Sequence, residues 1–133
     1  MNLDMLLQRI KQNCNHFGDL FPTIGSDIHY ILADNDTWLA AFWPGILWLA
    51  YAKTQDQAIA ACARKQLTSF QNRLKQRVHI THDLGFLYTL SARAQWQLTG
   101  DQTARELALQ AAEELSQRYR AKGRYIQGGG SSG

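Results

Sequence analysis

Two short turns, Thr54-Gln55-Asp56-Gln57 and Thr99-Gly100-Asp101-Gln102, lie 45 residues apart, and each separates an apolar stretch from an amphipathic one. A recurrence of this length is the signature of paired helices stacked as repeats, because one helical hairpin cannot bury its own apolar face. The stretches on either side fit that scheme. Around Pro44, placed in the first turn of a helix where a missing N–H costs nothing, Ile46, Leu47, Leu49 and Tyr51 make a segment apolar nearly all round. The segment from Leu84 to Leu98 is equally apolar, through Phe86, Leu87, Tyr88, Leu90, Ala94 and Trp96. Both read as interior helices.

The segment after each of them is two-faced. From Gln55 to Gln76, Ala58, Cys62, Leu67, Phe70 and Leu74 oppose Gln57, Arg64, Lys65, Gln71 and Lys75. Over residues 101–121, Ala104, Leu107, Ala108, Ala111, Leu115 and Tyr119 face inward, while Arg105, Glu106, Gln110, Glu113, Glu114 and Gln117 face water. These are exterior helices, and Asp56 and Asp101 stand where each can cap one. A further amphipathic helix is expected over residues 3–17, with Leu3, Leu6, Leu7, Ile10, Cys14 and Phe17 at helical spacing and Gly18 to close it. Between Asp19 and Thr37 the turn formers Phe21-Pro22, Gly25-Ser26 and Asp34-Asn35-Asp36 predict a long irregular connection. The expectation is an all-α fold of α/α hairpins, and the repeat alone leaves open whether these form an open solenoid or a closed ring.

Composition narrows the function. With 45% apolar and 19% charged residues over 133 positions, the chain suits one globular domain over residues 1–127. Its net charge of +3 comes from dispersed Lys and Arg, a pattern of solubility more than of nucleic-acid binding. The longest apolar run, Trp38 to Ala52, has 15 residues and contains Pro44 and Gly45, short of the roughly 20 that span a bilayer. The N-terminal MNLDMLLQRIKQN lacks the pattern of a secretory signal, which makes a cytoplasmic location the default. Cys14 and Cys62 sit within helical apolar patterns and read as buried thiols, not a disulfide framework. The tail, residues 128–133, is Gly-Gly-Gly-Ser-Ser-Gly and has the composition of a flexible linker.

Three features stand out as chemistry: Trp38 with Phe42-Trp43-Pro44-Gly45, Thr81-His82-Asp83-Leu84-Gly85-Phe86, and Tyr125-Ile126-Gln127. The first two each precede an interior helix. If those helices run parallel, Trp43 and His82-Asp83 open onto one rim, where helix N-termini favour an anion. Trp43 could stack on a sugar or belong to the core; Asp83 could exchange protons or cap its helix; His82 could contact substrate or lie at the surface. His16, His29 and His79 show no metal-ligand spacing, so a metal site is not expected, and no phosphate loop, serine nucleophile elbow or Cys–His pair can be made out.

Phe42-Trp43-Pro44-Gly45-Ile46-Leu47-Trp48-Leu49-Ala50-Tyr51, His82-Asp83-Leu84-Gly85-Phe86-Leu87-Tyr88 and Leu98-Thr99-Gly100-Asp101 with Ala104-Arg105 resemble, in order and spacing, the unsaturated glucuronyl hydrolases. The resemblance covers about Trp38 to Gln127 and implies part of a six-hairpin (α/α) toroid. It implies removal of an unsaturated uronic acid from lyase-generated oligosaccharides by hydration of a vinyl ether, without metal or organic cofactor. On this likeness Asp83 matches one of two active-site aspartates, His82 a neighbouring substrate contact and Trp43 an aromatic wall, with Gln127 a further substrate-binding candidate. The family's other aspartate lies in a later segment that this chain lacks, which implies an incomplete site. The alternative is a non-catalytic helical-repeat module for binding or assembly, self-associating through uncovered hairpin edges.

Overall fold

A computed structural model describes residues 2–129. Helix α1 (Leu3–Phe17) is capped by the Asn2 side chain, whose Oδ1 accepts from the Met5 N–H at 2.9 Å, and ends at Gly18 with φ +56°. A β-hairpin comes next, β1 (Phe21–Gly25) with β2 (Tyr30–Ala33), and a 3-10 turn (Trp38–Ala41) leads into α2 (Phe42–Thr54). Then come α3 (Gln57–Arg64), α4 (Leu67–Lys75), α5 (Leu84–Tyr88), a π-helical segment (Thr89–Arg93), α6 (Ala94–Thr99) and α7 (Gln102–Ser116). A second small hairpin pairs β3 (Tyr119–Arg120) with β4 (Tyr125–Ile126).

The inner layer is α2 against the nearly continuous α5–π–α6 helix; α3, α4 and α7 cover it from outside, and α1 lies on α3. Leu47, Trp48, Leu84, Leu87 and Tyr88 are all nearly inaccessible in this core. Two glycines let the helices approach closely. A Cβ on Gly45 would come within 3.3 Å of the Leu90 Cβ, and one on Gly85 within 3.1 Å of the Leu115 side chain. The Gly in Pro44-Gly45 and the Gly in Leu84-Gly85 therefore serve packing between helices.

The two recurring turns are the same device at atomic level. Thr54 and Thr99 each donate a hydroxyl hydrogen bond to the carbonyl four residues back, at 2.8 and 2.6 Å, and accept from the N–H of Asp56 and Asp101, both at 3.2 Å. Gln55 (φ +57°) and Gly100 (φ +73°) take the left-handed conformation that ends the inner helix. Asp56 then accepts from the N–H groups of Ala58 and Ile59, and Asp101 from those of Thr103 and Ala104, capping the outer helices. Asp56 also pairs with Lys11 of α1, and that contact, first among the causes, lowers its pKa.

Four expectations are corrected. The connection after α1 is a hairpin, because Thr23, Ile24, Tyr30 and Ile31 are β-formers and Ser26 closes a tight turn with His29, its N–H donating to the His29 carbonyl at 2.7 Å. A bulge between Pro22 and Ile24 accommodates the proline, and Phe21 is buried edge-on against Phe70. The amphipathic stretch after Thr54 is broken into α3 and α4 at Lys65–Gln66. Tyr119, expected on the inner face of α7, is half exposed on β3, since the helix stops at Ser116 and the buried Arg118 takes the inward position. Cys14 and Cys62 are joined as a disulfide, their Cα atoms 6.1 Å apart, tying α1 to α3 at half-buried positions. Independent amphipathic helices look alike in sequence whether or not their cysteines meet; only the docking of α1 on α3 brings the two together. Of the tail, Gly128 and Gly129 are placed against His82, and residues 130–133 lie outside the described residues.

Two outcomes are expected. Asp101→Ala removes a cap and strands the buried Gln95 amide that donates to Asp101 at 2.8 Å, which should cost about 2 kcal/mol in urea unfolding. With a separation of 48 residues, reducing the disulfide should cost roughly 3 kcal/mol, and Cys62→Ser should abolish that sensitivity to reductant.

Candidate functional site

Three aspartates stand at helix starts, and they behave differently. Asp56 and Asp101 spend their carboxylates on helix N–H groups, whereas Asp83 makes no side-chain cap bond to α5. Its backbone is already helical (φ −69°, ψ −10°), which turns the carboxylate away from the N–H groups a cap would satisfy. Thr81 instead organises the approach: its hydroxyl donates to Asp83 Oδ2 at 3.2 Å and accepts from the Asp83 N–H at 3.2 Å. The carboxylate remains about one-third exposed and free for other work.

His82 lies beside it, its Nε2 3.5 Å from Asp83 Oδ1. The other ring nitrogen, Nδ1, accepts from the Gly129 N–H at 3.2 Å. An accepting Nδ1 in the neutral ring leaves the hydrogen on Nε2, the nitrogen facing Asp83. Gln127, two residues before Gly129, lies on the same stretch but presents its side chain elsewhere: Oε1 accepts from Arg120 Nη2 at 2.6 Å on the exposed hairpin. The structure thus groups His82, Asp83 and the main chain of residues 127–129.

Trp43 does not join them. Its indole is only 3% exposed and packs edge-on against Phe17 at 4.8 Å, so the core reading holds and no face is left for a sugar. The reason is the angular phase of α2. Trp43, Leu47, Trp48 and Tyr51 form the buried stripe, and Phe42, Ile46 and Leu49 the uncovered one. An all-apolar helix gives no hint of which stripe turns inward. The exposed aromatics are one residue earlier and on the next helix: Phe42 is 4.9 Å from Phe86, and Trp38 is 5.9 Å from Phe42 and 6.3 Å from Phe86 between ring centroids. Phe86 sits one helical turn beyond Asp83, so this aromatic patch adjoins the carboxylate. The signal in sequence was the i, i+4 spacing of Trp38 and Phe42.

Such an arrangement offers a carboxyl–imidazole pair for proton exchange beside a partly exposed aromatic surface of the kind that sugars stack on. Among the described residues no three His, Cys, Asp or Glu side chains gather as metal ligands, and no helix is long and apolar enough to cross a membrane.

Comparison with known proteins decides the lineage. The chain is 44% identical to unsaturated chondroitin disaccharide hydrolase of Streptococcus pyogenes serotype M1, over 98% of its own length and 33% of that protein. The crystal structure of unsaturated glucuronyl hydrolase from Bacillus sp. GL1 superposes with a TM-score of 0.87 at 44% identity, covering 93% of this chain and 33% of that one. This chain is an unsaturated glucuronyl hydrolase homologue. A further solved relative, a variant bearing an Asp→Asn substitution and described with dGlcA-Glc-Rha-Glc, matches with a TM-score of 0.85 at 44% identity over 93% of this chain and 34% of that one. No family model matches the chain. The helical hairpins are part of an α/α toroid, and the chain spans about a third of the length of these unsaturated glucuronyl hydrolases.

The helix that begins beyond Asp83 also carries Tyr88, whose buried hydroxyl donates to the Phe70 carbonyl at 2.7 Å. Burial pushes its pKa above the ordinary phenol value of 10.0, more than the nearby Arg73 pulls it down. The folded chain therefore holds the proton that the unfolded chain releases above pH 10, so this contribution is complete below pH 10 and is lost as pH rises beyond it. Urea titrations between pH 9 and 12 should show a steeper alkaline fall for the native chain than for Tyr88→Phe.

Proposed function

We propose that this chain contributes a substrate-binding and proton-transferring part of a glycoside hydrolase acting on unsaturated uronic acids at the end of lyase-generated oligosaccharides. The observation that carries this reading is Asp83: alone of the three helix-start aspartates it gives its carboxylate to no helix N–H group, with His82 at 3.5 Å and the Trp38, Phe42 and Phe86 aromatics adjoining. The names of the relatives support the substrate class.

In this reading Asp83 takes part in a hydration that adds a proton to one carbon of the sugar's vinyl ether and a water hydroxyl to the ring-oxygen-bearing carbon. The resulting hemiketal opens and releases the neighbouring sugar. His82 contacts the substrate and keeps the carboxyl group oriented through its Nε2–H. Trp38, Phe42 and Phe86 take the wall role first expected of Trp43, and Gln127, turned toward Arg120, takes no substrate contact. A second aspartate, implied by the family likeness, would come from outside these residues. We place the reaction in the cytoplasm.

A second reading is favoured by one feature, the uncovered stripe of α2. Leu49 is 74% exposed and Ile46 46%, an apolar surface that suits assembly with another copy. One sample tests both readings: the absorbance of an unsaturated chondroitin disaccharide, followed with light scattering on the same chain. The hydrolase reading expects the absorbance to fall once the second aspartate is supplied together with these residues, and Asp83→Asn then to reduce the rate at least about 100-fold with an unchanged melting temperature. An Asp83→Asn variant as fast as the native chain would remove Asp83 from the chemistry. A dimer that Leu49→Lys dissociates would support assembly.

A further inference from the structure

Two arginines are buried without a carboxylate partner. Arg73 of α4 is 3% exposed and Arg118, in the turn between α7 and β3, is 7% exposed, and neither forms an ion pair among the described residues. A buried guanidinium is costly unless its N–H groups are satisfied. Arg118 spends three nitrogens, and Arg73 its Nη1, on loops that flank the site, while Arg73 Nε is buried without a hydrogen-bond partner among the described residues.

Arg118 gathers two segments far apart in sequence. It donates Nη1 to the Ile80 carbonyl at 3.2 Å, Nε to that of Gln127 at 3.0 Å and Nη2 to that of Gly129 at 3.0 Å. The first acceptor lies just before Thr81-His82-Asp83. The last belongs to the residue whose N–H holds His82 Nδ1. Arg73 does the same on the other side, donating Nη1 to Asn35 Oδ1 at 2.9 Å and to the Thr37 carbonyl at 2.7 Å, immediately ahead of Trp38.

We propose that Arg118 and Arg73 are positioning residues of the site: Arg118 locks the 80–83 loop against residues 127–129 and so sets the His82 ring beside Asp83, and Arg73 fixes the turn that presents Trp38. This deepens the hydrolase reading and rests on it for its catalytic meaning. At Arg118 only a guanidinium serves. Its planar fork points Nε, Nη1 and Nη2 in fixed directions at once, and the single ammonium of a lysine cannot meet three carbonyls from two segments. Arg73 acts through Nη1 alone, on one turn.

The test uses Arg118→Lys, which keeps the charge and loses the fork, and Arg73→Met, which removes the donors to the 35–37 turn, in amide hydrogen exchange and disaccharide turnover. Arg118→Lys should speed exchange at Asp83, Leu84, Gln127 and Gly129 about 10-fold while Leu107 and Ala111 of α7 stay as in the native chain. Turnover should then fall in kcat by about 10- to 100-fold with KM within about threefold, because Asp83 is misplaced more than the sugar is lost. Arg73→Met should speed exchange in the 34–37 turn and raise KM with kcat kept. Should Arg118→Lys fail to fold, Arg118→Gln, which removes the buried charge, carries the same measurement. Exchange that rises evenly through the chain, or does not rise at all, overturns the proposal, and so does a local rise with kcat and KM both unchanged. Absence of turnover even when the second aspartate is supplied with these residues defeats the hydrolase reading instead, and the exchange pattern still decides the two clamps.

Discussion

Everything in this fold depends on covering helices that are apolar on every side. The helix from Phe42 and the one from Leu84 cannot lie at a surface without exposing indoles and leucines, so each must be succeeded by a helix that returns along its outside. The return is made by one local device used twice, a threonine that closes the inner helix, a left-handed residue and an aspartate that opens the outer one. Because the turn is compact and fully hydrogen-bonded, the starts of α2 and α5 come to one side of the layer, and their lead-in residues come with them.

That geometry explains why the chemistry-bearing residues are lead-ins. Trp38 precedes α2, His82 and Asp83 precede α5, and residues 127–129 close the group from the small hairpin after α7. Loops at such positions have no regular ladder to hold them, so each is pinned from beneath, by Thr81 within the turn and by the buried Arg73 and Arg118 across it. The Asp83 carboxylate caps no helix N–H group because its backbone already follows the helix, not because the helix lacks a need for a cap.

The stripe of α2 left uncovered gives a physical measure of how much of the toroid these residues supply. Phe42 and Ile46 are a little under half open and Leu49 about three-quarters, and a chain that spans a third of its relatives' length has no further hairpins among these residues to lay against them. The core beneath is nonetheless well packed, with aromatic edges meeting at Phe17–Trp43, Phe21–Phe70 and Phe70–Tyr88.

The amino-acid sequence by itself determined the helices, their alternation between inside and outside and the capping roles of Asp56 and Asp101, because each depends on periodicity or on neighbours within a turn. It misled at the Phe21–Ala33 hairpin, where turn formers masked β-branched residues, at Tyr119 and at the two cysteines. Tertiary structure alone decided that Trp43 is core and that Phe42 and Trp38 are open, that Cys14 meets Cys62, and that Arg118 reaches the loop before His82. Each of these rests on the angular phase of an element or on contacts between residues tens of positions apart, and such information is carried by packing, not by local order along the chain.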